Sequence, residues 1–177
     1  MQYTNLGRAG VRVSRLCLGT YNFYHVTPED EALALLDKAE ELGINFIDTA
    51  DIYVRRKHIG AAESLIGSWL SKDKGRRART FLTTKVYGTT GPGPNERGLS
   101  AYHIRHACEE SLRRLQTDHI DLYQMHYLDA DTPWDEIWQA MEQLVREAKS
   151  CTSAAATLLV GIYPKLRKLL PSVISLD

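Results

Sequence analysis

The chain has 177 residues and no formal net charge, with 44% hydrophobic and 25% charged residues. These values are typical of one globular domain, and the lack of a basic excess argues against nucleic acid or an anionic membrane as partner. Three cysteines without a Cys-x-x-Cys spacing indicate neither a disulfide framework nor a zinc site. We therefore expect no metal and a reduced, cytoplasmic setting. The N-terminus does not resemble a signal peptide, and no apolar run approaches the roughly 20 residues of a membrane helix.

The predicted elements begin with a small hairpin and continue as four strand–helix units. Residues 2–5 and 11–14 flank two glycines and predict the hairpin. The predicted strands span residues 15–19, 44–48, 80–84 and 120–126. The predicted helices span about 27–42, 59–71, 100–115 and 132–148. Because these strands are largely apolar, as strands buried on both faces must be, the order predicts an α/β fold with a parallel sheet covered by helices.

Local signals place several helix ends and one surface cluster. Thr27 before Pro28 predicts a helix N-cap, Gly43 predicts a helix end, and Ser100 predicts a second N-cap. The Gly- and Pro-rich stretch 88–98 predicts a long loop. We interpret a group of cationic side chains as a solvated helix end and loop rather than a binding patch: Lys72, Lys74, Arg76, Arg77 and Arg79.

Four side chains suited to proton transfer follow successive predicted strands. Asp48 ends the strand 44–48, Tyr53 lies in the loop behind it, Lys85 follows the strand 80–84, and His126 ends the strand 120–126. Taken singly, Asp48 could cap a turn, Tyr53 could be packing, and His126 could be a core histidine. Because the carboxyl ends of parallel strands meet at one edge of a sheet or barrel, all four in order predict a catalytic set.

The chemistry of such a set suits the protonation of a carbonyl oxygen. A phenol, with a pKa of about 10, is a weak acid at neutral pH. A neighbouring ammonium stabilises the phenolate, a carboxylate holds that ammonium, and an imidazole can orient the carbonyl or relay the proton. General acid catalysis of this kind supplies roughly 10²–10⁴-fold. The hydride that must reach the carbonyl carbon requires a cofactor.

The motifs that surround these residues resemble the aldo-keto reductase family. The similarity covers residues 1–149. The matching segments are Arg15 to Thr20, the run Gly43-Ile44-Asn45-Phe46-Ile47-Asp48-Thr49-Ala50, Phe81 to Lys85, and Ser111 to Leu115 leading to Ile120-Asp121-Leu122-Tyr123-Gln124-Met125-His126. The resemblance implies a (β/α)8 TIM barrel, of which this chain would form about four βα units with an N-terminal hairpin closing the bottom.

The resemblance also implies roles for individual residues. Tyr53 would be the proton donor, Lys85 and Asp48 would tune it, and His126 would position the carbonyl of a small aldehyde or ketone substrate. The implied cofactor is NADPH, bound without a Rossmann domain, and the chain contains no Gly-x-Gly-x-x-Gly. Its nicotinamide ribose would lie beside the segment Gly19, Thr20 and Tyr21, close to Asp48.

Two loops of the chain depart from the family pattern. The family usually has Gly after the catalytic Tyr, whereas Val54-Arg55-Arg56-Lys57 follows here. The family tends toward Met-Asn-Phe-Gly where this chain has Tyr21-Asn22-Phe23-Tyr24-His25. Because both loops belong to the substrate side of the barrel, the resemblance does not indicate which carbonyl compound is reduced.

After Lys149 the sequence stops following the family. Related sequences continue with a strand such as Val-Leu-Tyr-Val-Gly-Ser-Ser-Asn-Phe-Ala-Gly-Trp, whose Ser-Asn pair holds the nicotinamide amide. Codons can be chosen for Ser150 to Gly161 so that one extra base in front of them shifts the reading frame. In the shifted frame these codons encode the whole family string. We therefore predict that residues 150–177 are an aberrant, out-of-frame tail. A basic amphipathic membrane segment there is disfavoured, because Pro164 and Pro171 divide it into short pieces.

Three hypotheses follow for the function of the chain. The first is an NADPH-dependent reductase of aldehydes or ketones, active when the frame is restored and inactive as written, because the later strands that grip the cofactor are missing. The second is a non-catalytic fragment. The third is a half-barrel that self-associates through its open strand edges.

Overall fold

The computed structural model describes residues 1–54 and 59–150. The predictions for the tail beyond Ser150 lie outside the described residues, as does the segment 55–57. The predicted hairpin is confirmed: β1 (Tyr3–Asn5) pairs antiparallel with β2 (Arg12–Ser14). The Ser14 backbone N–H donates to Asn45 Oδ1 at 2.7 Å. The hairpin is therefore attached to the residue that precedes the strand Phe46–Asp48.

Four parallel strands form the central sheet in chain order. They are β3 (Leu18–Gly19), β4 (Phe46–Asp48), β5 (Phe81–Val86) and β6 (Leu122–Met125). The register pairs Gly19 with Asp48 and Asp48 with Thr83, so the carboxyl ends of the strands lie along one edge. Since β5 continues to Val86, Lys85 lies inside that strand and not after it as predicted.

The helices cover the sheet in the predicted alternation. They are α1 (Glu29–Glu41), α2 (Ala61–Ser71), α3 (Arg76–Arg79), α4 (Ala101–Leu115) and α5 (Trp134–Arg146). Strand and helix side chains share one main core, which includes Leu36, Ile66, Leu82, Ile104, Tyr123 and Met141. The architecture is α/β and consistent with successive βα units of a TIM barrel. Within the described residues, no helix is long and apolar enough to cross a membrane.

The helix ends confirm two of the three local predictions. Ser100 caps α4, since its hydroxyl accepts a hydrogen bond from the His103 N–H at 3.2 Å. Gly43 follows α1 with a φ of +77°, a conformation that glycine adopts without strain. The predicted Thr27 cap is wrong. Pro28 occupies the N-cap position of α1 without a side-chain hydrogen bond.

The cationic cluster is not uniformly solvated, which corrects the sequence interpretation. The Arg76 guanidinium binds Glu40 at 2.9 Å and Asp37 at 3.1 Å, and Arg77 binds Asp121 at 2.8 Å. The side chains of these two arginines are only 15% and 17% exposed. The local sequence shows the positive charges, but not the acids 36 to 44 residues away that pair with them.

After α5 the chain returns to the side of the strand β6 that faces away from β5. The Ile120 N–H donates to Lys149 O at 3.0 Å, and Ile120 forms a parallel bridge with Ser150. Ser150 therefore lies where a further parallel strand would begin beside β6.

Candidate active site

The Lys85 ammonium joins the predicted residues into one cluster. It donates to Asp48 Oδ2 at 2.6 Å, to Thr49 O at 2.7 Å and to Tyr53 Oη at 3.2 Å. The Lys85 side chain is 12% exposed, so its contacts are little screened by water. These acceptors use all three ammonium hydrogens, and the charge is fixed next to the phenol oxygen.

Asp48 is held on both of its carboxylate oxygens. Oδ2 accepts from Lys85, and Oδ1 accepts from the Thr83 hydroxyl at 2.7 Å. Thr83 and Lys85 are two residues apart on β5, so both side chains point to the same face of the sheet. The carboxylate is therefore fixed in the orientation that pairs it with the lysine.

Tyr53 is positioned by the turn that follows β4. Its backbone N–H donates to Ala50 O at 3.2 Å. Its ring meets the Tyr21 ring edge-on at 5.4 Å between centroids and the His126 ring at 5.7 Å. Edge-to-face packing on two sides, together with the bond from Lys85, fixes the phenol.

His126 lies directly after β6. Its backbone N–H donates to Val86 O at 2.9 Å, and its ring stacks on the Tyr127 ring with centroids 5.0 Å apart. The structure thus brings all four predicted side chains together at one edge of the sheet. Their catalytic roles stay predictions.

A cavity of about 550 Å³ opens beside Tyr53 and His126. It is lined by Tyr21, Tyr24, His25, Ile52, Tyr53, Val54, His126 and Tyr127. Asp48 and Lys85 are not among these residues, so the ion pair lies behind the phenol. A molecule in the cavity would meet the phenol and the imidazole directly.

The residues predicted to contact a cofactor differ in solvent exposure and in hydrogen bonding. A Cβ added at Gly19 would meet nothing within 4 Å, and Tyr21 is 63% exposed. Thr20 is buried, and its hydroxyl donates to Asp48 O at 3.0 Å. Gly19, which pairs with Asp48, and Tyr21 therefore both border open space. Thr20 instead supports the end of β4.

Two further ionisable groups lie close to this cluster. Burial, and after it the Glu63 carboxylate, raises the pKa of Asp51 to about 8, against the opposing effect of Arg114. The surrounding protein atoms partly desolvate the Cys17 thiol, and this effect, followed by that of Asp48, raises its pKa, although part of the residue reaches the surface. The raised pKa values favour the protonated carboxyl of Asp51 and the thiol form of Cys17 at neutral pH.

Sequence reasoning missed several residues of the site. Thr49 and Thr83 hold the ion pair, while Tyr127 and Ile52 line the cavity. The two-residue spacing of Thr83 and Lys85 on one strand was a usable signal for Thr83. The sequence contains no comparable signal for Tyr127, because its position depends on the path of the chain after β6. Among the described residues, no group of three or more His, Cys, Asp or Glu side chains is arranged to hold a metal ion.

The chain is similar to proteins that are named as an oxidoreductase and as potassium channel subunits. It is 54% identical over 153 residues to the uncharacterized oxidoreductase YrpG of Bacillus subtilis (strain 168), covering 84% of this chain and 47% of that protein. It is 36% and 38% identical over 146 residues to two proteins called probable voltage-gated potassium channel subunit beta, from Arabidopsis thaliana and Oryza sativa subsp. japonica respectively. Those matches cover 82% of this chain and 43% of each relative.

The chain spans about half the length of these curated relatives. A sequence profile of the Aldo/keto reductase family matches residues 15–149, a range that contains β3 to β6 and all four clustered side chains. With this match and the similarity to the Bacillus protein, the chain belongs to the aldo/keto reductase family.

Proposed function

We propose that this site performs the proton-transfer half of an NADPH-dependent reduction of an aldehyde or ketone to an alcohol. The observation that carries the proposal is the Lys85 ammonium, bound at once to Asp48 and to the phenol oxygen of Tyr53. Tyr53 also lines a cavity large enough for a small carbonyl compound. An acid whose conjugate base is stabilised by a fixed cation suits the protonation of a carbonyl oxygen.

Each residue has a separate part in the proposed step. The Tyr53 hydroxyl donates its proton to the carbonyl oxygen, and the Lys85 ammonium stabilises the phenolate that remains. Asp48 keeps the ammonium in place, and His126, whose ring packs against that of Tyr53, orients the carbonyl. NADPH, when bound, supplies the hydride to the carbonyl carbon. Gly19, Thr20 and Tyr21 would lie beside its nicotinamide ribose, close to Asp48.

The names of the relatives do not agree, since one is called an uncharacterized oxidoreductase and two are called probable potassium channel subunits. The oxidoreductase is the more similar to this chain, at 54% identity against 36% and 38%. An acid, a phenol, an ammonium and an imidazole around one cavity also have a direct use in carbonyl reduction. We therefore favour the enzymatic function.

The test of this proposal measures aldehyde-dependent oxidation of NADPH by the protein with the restored reading frame. We expect Tyr53→Phe to lower turnover at least 10²-fold, because the ring stays and only the proton donor is removed. Tyr102→Phe is the matched control, since Tyr102 is exposed on α4. Retained turnover in Tyr53→Phe would refute the assignment of the proton donor.

We also propose that the reading frame changes after the Lys149 codon, so that turnover requires the restored frame. The family match ends at residue 149, which supports this proposal. Sequencing the DNA across the junction between Lys149 and Ser150 tests it. A sequence that cannot encode the family continuation in the shifted frame would contradict it.

A further inference from the structure

We propose that the Asp51 carboxyl is a positioning group for the proposed reaction, which holds the turn that carries Tyr53 against the carboxyl end of β5. The inference rests on the function proposed above. It adds a residue that acts only through Tyr53, since among the described residues Asp51 neither lines the cavity nor binds the Lys85 ammonium.

The turn after β4 is bound to β5 through the backbone of Asp51. The strand β4 ends at Asp48, but the Asp51 N–H still donates to Lys85 O at 3.2 Å. Two residues later the Tyr53 N–H donates back to Ala50 O at 3.2 Å. The place of the Tyr53 hydroxyl therefore depends on whether Asp51 stays beside β5.

The Asp51 side chain is enclosed by the protein. The residue is fully buried, and within residues 1–54 and 59–150 neither carboxyl oxygen accepts a hydrogen bond of ordinary geometry. The backbone N–H groups of Ile52 and Tyr87 lie close enough to favour the ionised form. Because Tyr87 directly follows β5, the carboxyl lies near both the turn of Tyr53 and the end of β5.

The groups that face Asp51 from the packed elements leave its ionised form without a cation of its own. Glu63 on α2 is fully buried and accepts from the Thr84 hydroxyl at 2.6 Å and from Arg114 Nε at 2.7 Å. The guanidinium of Arg114 on α4 is thus already paired with a carboxylate. On β6, burial raises the pKa of the Tyr123 phenol well above its usual value, so this group stays neutral. An uncharged Asp51 can remain in this layer, whereas a carboxylate there would be a buried charge without a partner.

Ionisation of Asp51 should therefore displace the turn and the proton donor with it. Burial and the Glu63 carboxylate raise the pKa of Asp51 to about 8, so the turn is held below this pH and released above it. Proton transfer requires the donor within about 3 Å of the carbonyl oxygen, and a displacement of about 1 Å can cost 10²-fold in rate. The loss should appear in kcat more than in KM.

The pH profile of NADPH oxidation by the frame-restored protein gives the first test. With a pKa of about 8, we expect wild-type kcat to fall about tenfold from pH 7 to pH 9, with KM changing less than twofold. Asp51→Asn resembles the protonated acid but has no proton to lose, so its kcat should equal that of wild type at pH 7 and fall less than twofold. Gly67→Ala, which perturbs the contact of α2 with α4, is the control for lost stability and should keep the wild-type profile.

Carbon-13 NMR of the tyrosine Cζ atoms, without cofactor, gives a second test that needs no turnover. The Tyr53 signal, identified by its loss in Tyr53→Phe, should shift with a midpoint near pH 8 in wild type and not in Asp51→Asn. The inference is overturned if wild type lacks this step, if Asp51→Asn shows it too, or if kcat of Asp51→Asn falls as steeply as that of wild type. Should no carbonyl substrate be turned over, the proposed function fails, and the NMR titration still decides whether Asp51 positions Tyr53.

Discussion

At the scale of single residues, Lys85 contributes most to the order of the site. Its ammonium binds one carboxylate, one carbonyl and one phenol. We expect Lys85→Met to destabilise the chain by about 2–4 kcal/mol, because the partly buried Asp48 loses its cation. Urea unfolding measures this change.

The control for Lys85→Met is Lys38→Met. The pair of Lys38 with Glu41 is exposed on α1, so its loss should cost at most about 1 kcal/mol. Equal unfolding midpoints for the two variants would contradict the structural importance of the Lys85 ion pair.

Asp51 should make stability depend on pH. Its pKa is about 8 in the folded chain and about 3.9 in an unfolded one, so between these values the folded chain holds a proton that the unfolded chain has released. This contribution to stability is complete below about pH 4 and is lost as the pH rises to about 8, at up to about 1.4 kcal/mol per pH unit.

The measurement compares the free energy of unfolding of wild type and Asp51→Asn at pH 5, 6.5 and 8. The uncharged amide resembles the protonated acid, so the advantage of Asp51→Asn should grow with pH. Asp131→Asn, at an exposed position, is the control and should follow wild type. Parallel pH profiles for wild type and Asp51→Asn would show that Asp51 is ionised in the folded chain.

The sequence was sufficient to place the four central side chains, because chemistry-bearing residues at the ends of parallel strands must converge. It was not sufficient to predict the residues that hold these four side chains in place. Thr49 binds Lys85 through its backbone carbonyl, which no side-chain pattern reveals. Val54 was noted as a departure from the family, but the sequence analysis did not predict its positive φ of +70°.

At the scale of elements, the close approach of α2 and α4 can be tested at Gly67. An added Cβ there would lie 2.2 Å from Arg114 O and 2.9 Å from Leu115 Cα, which are backbone atoms of α4. We expect Gly67→Ala to destabilise the chain by about 1–3 kcal/mol, as overpacking does, despite the better helix propensity of alanine. Thermal unfolding measures the effect.

Gly10→Ala is the control for this substitution. A Cβ at Gly10 would meet nothing within 4 Å, so this variant should unfold within about 0.5 kcal/mol of wild type. A stabilised Gly67→Ala variant would mean that the two helices lie further apart than described.

The order and type of the main elements followed from hydrophobic pattern and local signals alone. Ser100 and Gly43 marked helix ends correctly because their effects are local. The short helix α3 was missed, because its arginines are held by Asp37, Glu40 and Asp121 from distant parts of the chain. Strand ends shifted by a few residues for the same reason, since pairing with neighbours sets them.

At the scale of the whole molecule, we predict that the side of β6 facing away from β5, which carries no named strand among the described residues, promotes association. The bridge between Ile120 and Ser150 shows that this edge accepts a parallel neighbour, and unpaired strand edges recruit other chains. We expect the apparent mass in sedimentation equilibrium to rise above the 20.0 kDa of one chain as concentration increases. A mass that stays at 20.0 kDa at every concentration would contradict self-association.

The most direct test of the central claim is aldehyde-dependent NADPH oxidation by the frame-restored protein and its Tyr53→Phe variant, with Tyr102→Phe beside them. We predict turnover in the restored protein and in Tyr102→Phe, and a loss of roughly 10²–10⁴-fold in Tyr53→Phe. Comparable turnover in all three proteins would contradict the assignment of Tyr53, held by Lys85 and Asp48, as the proton donor.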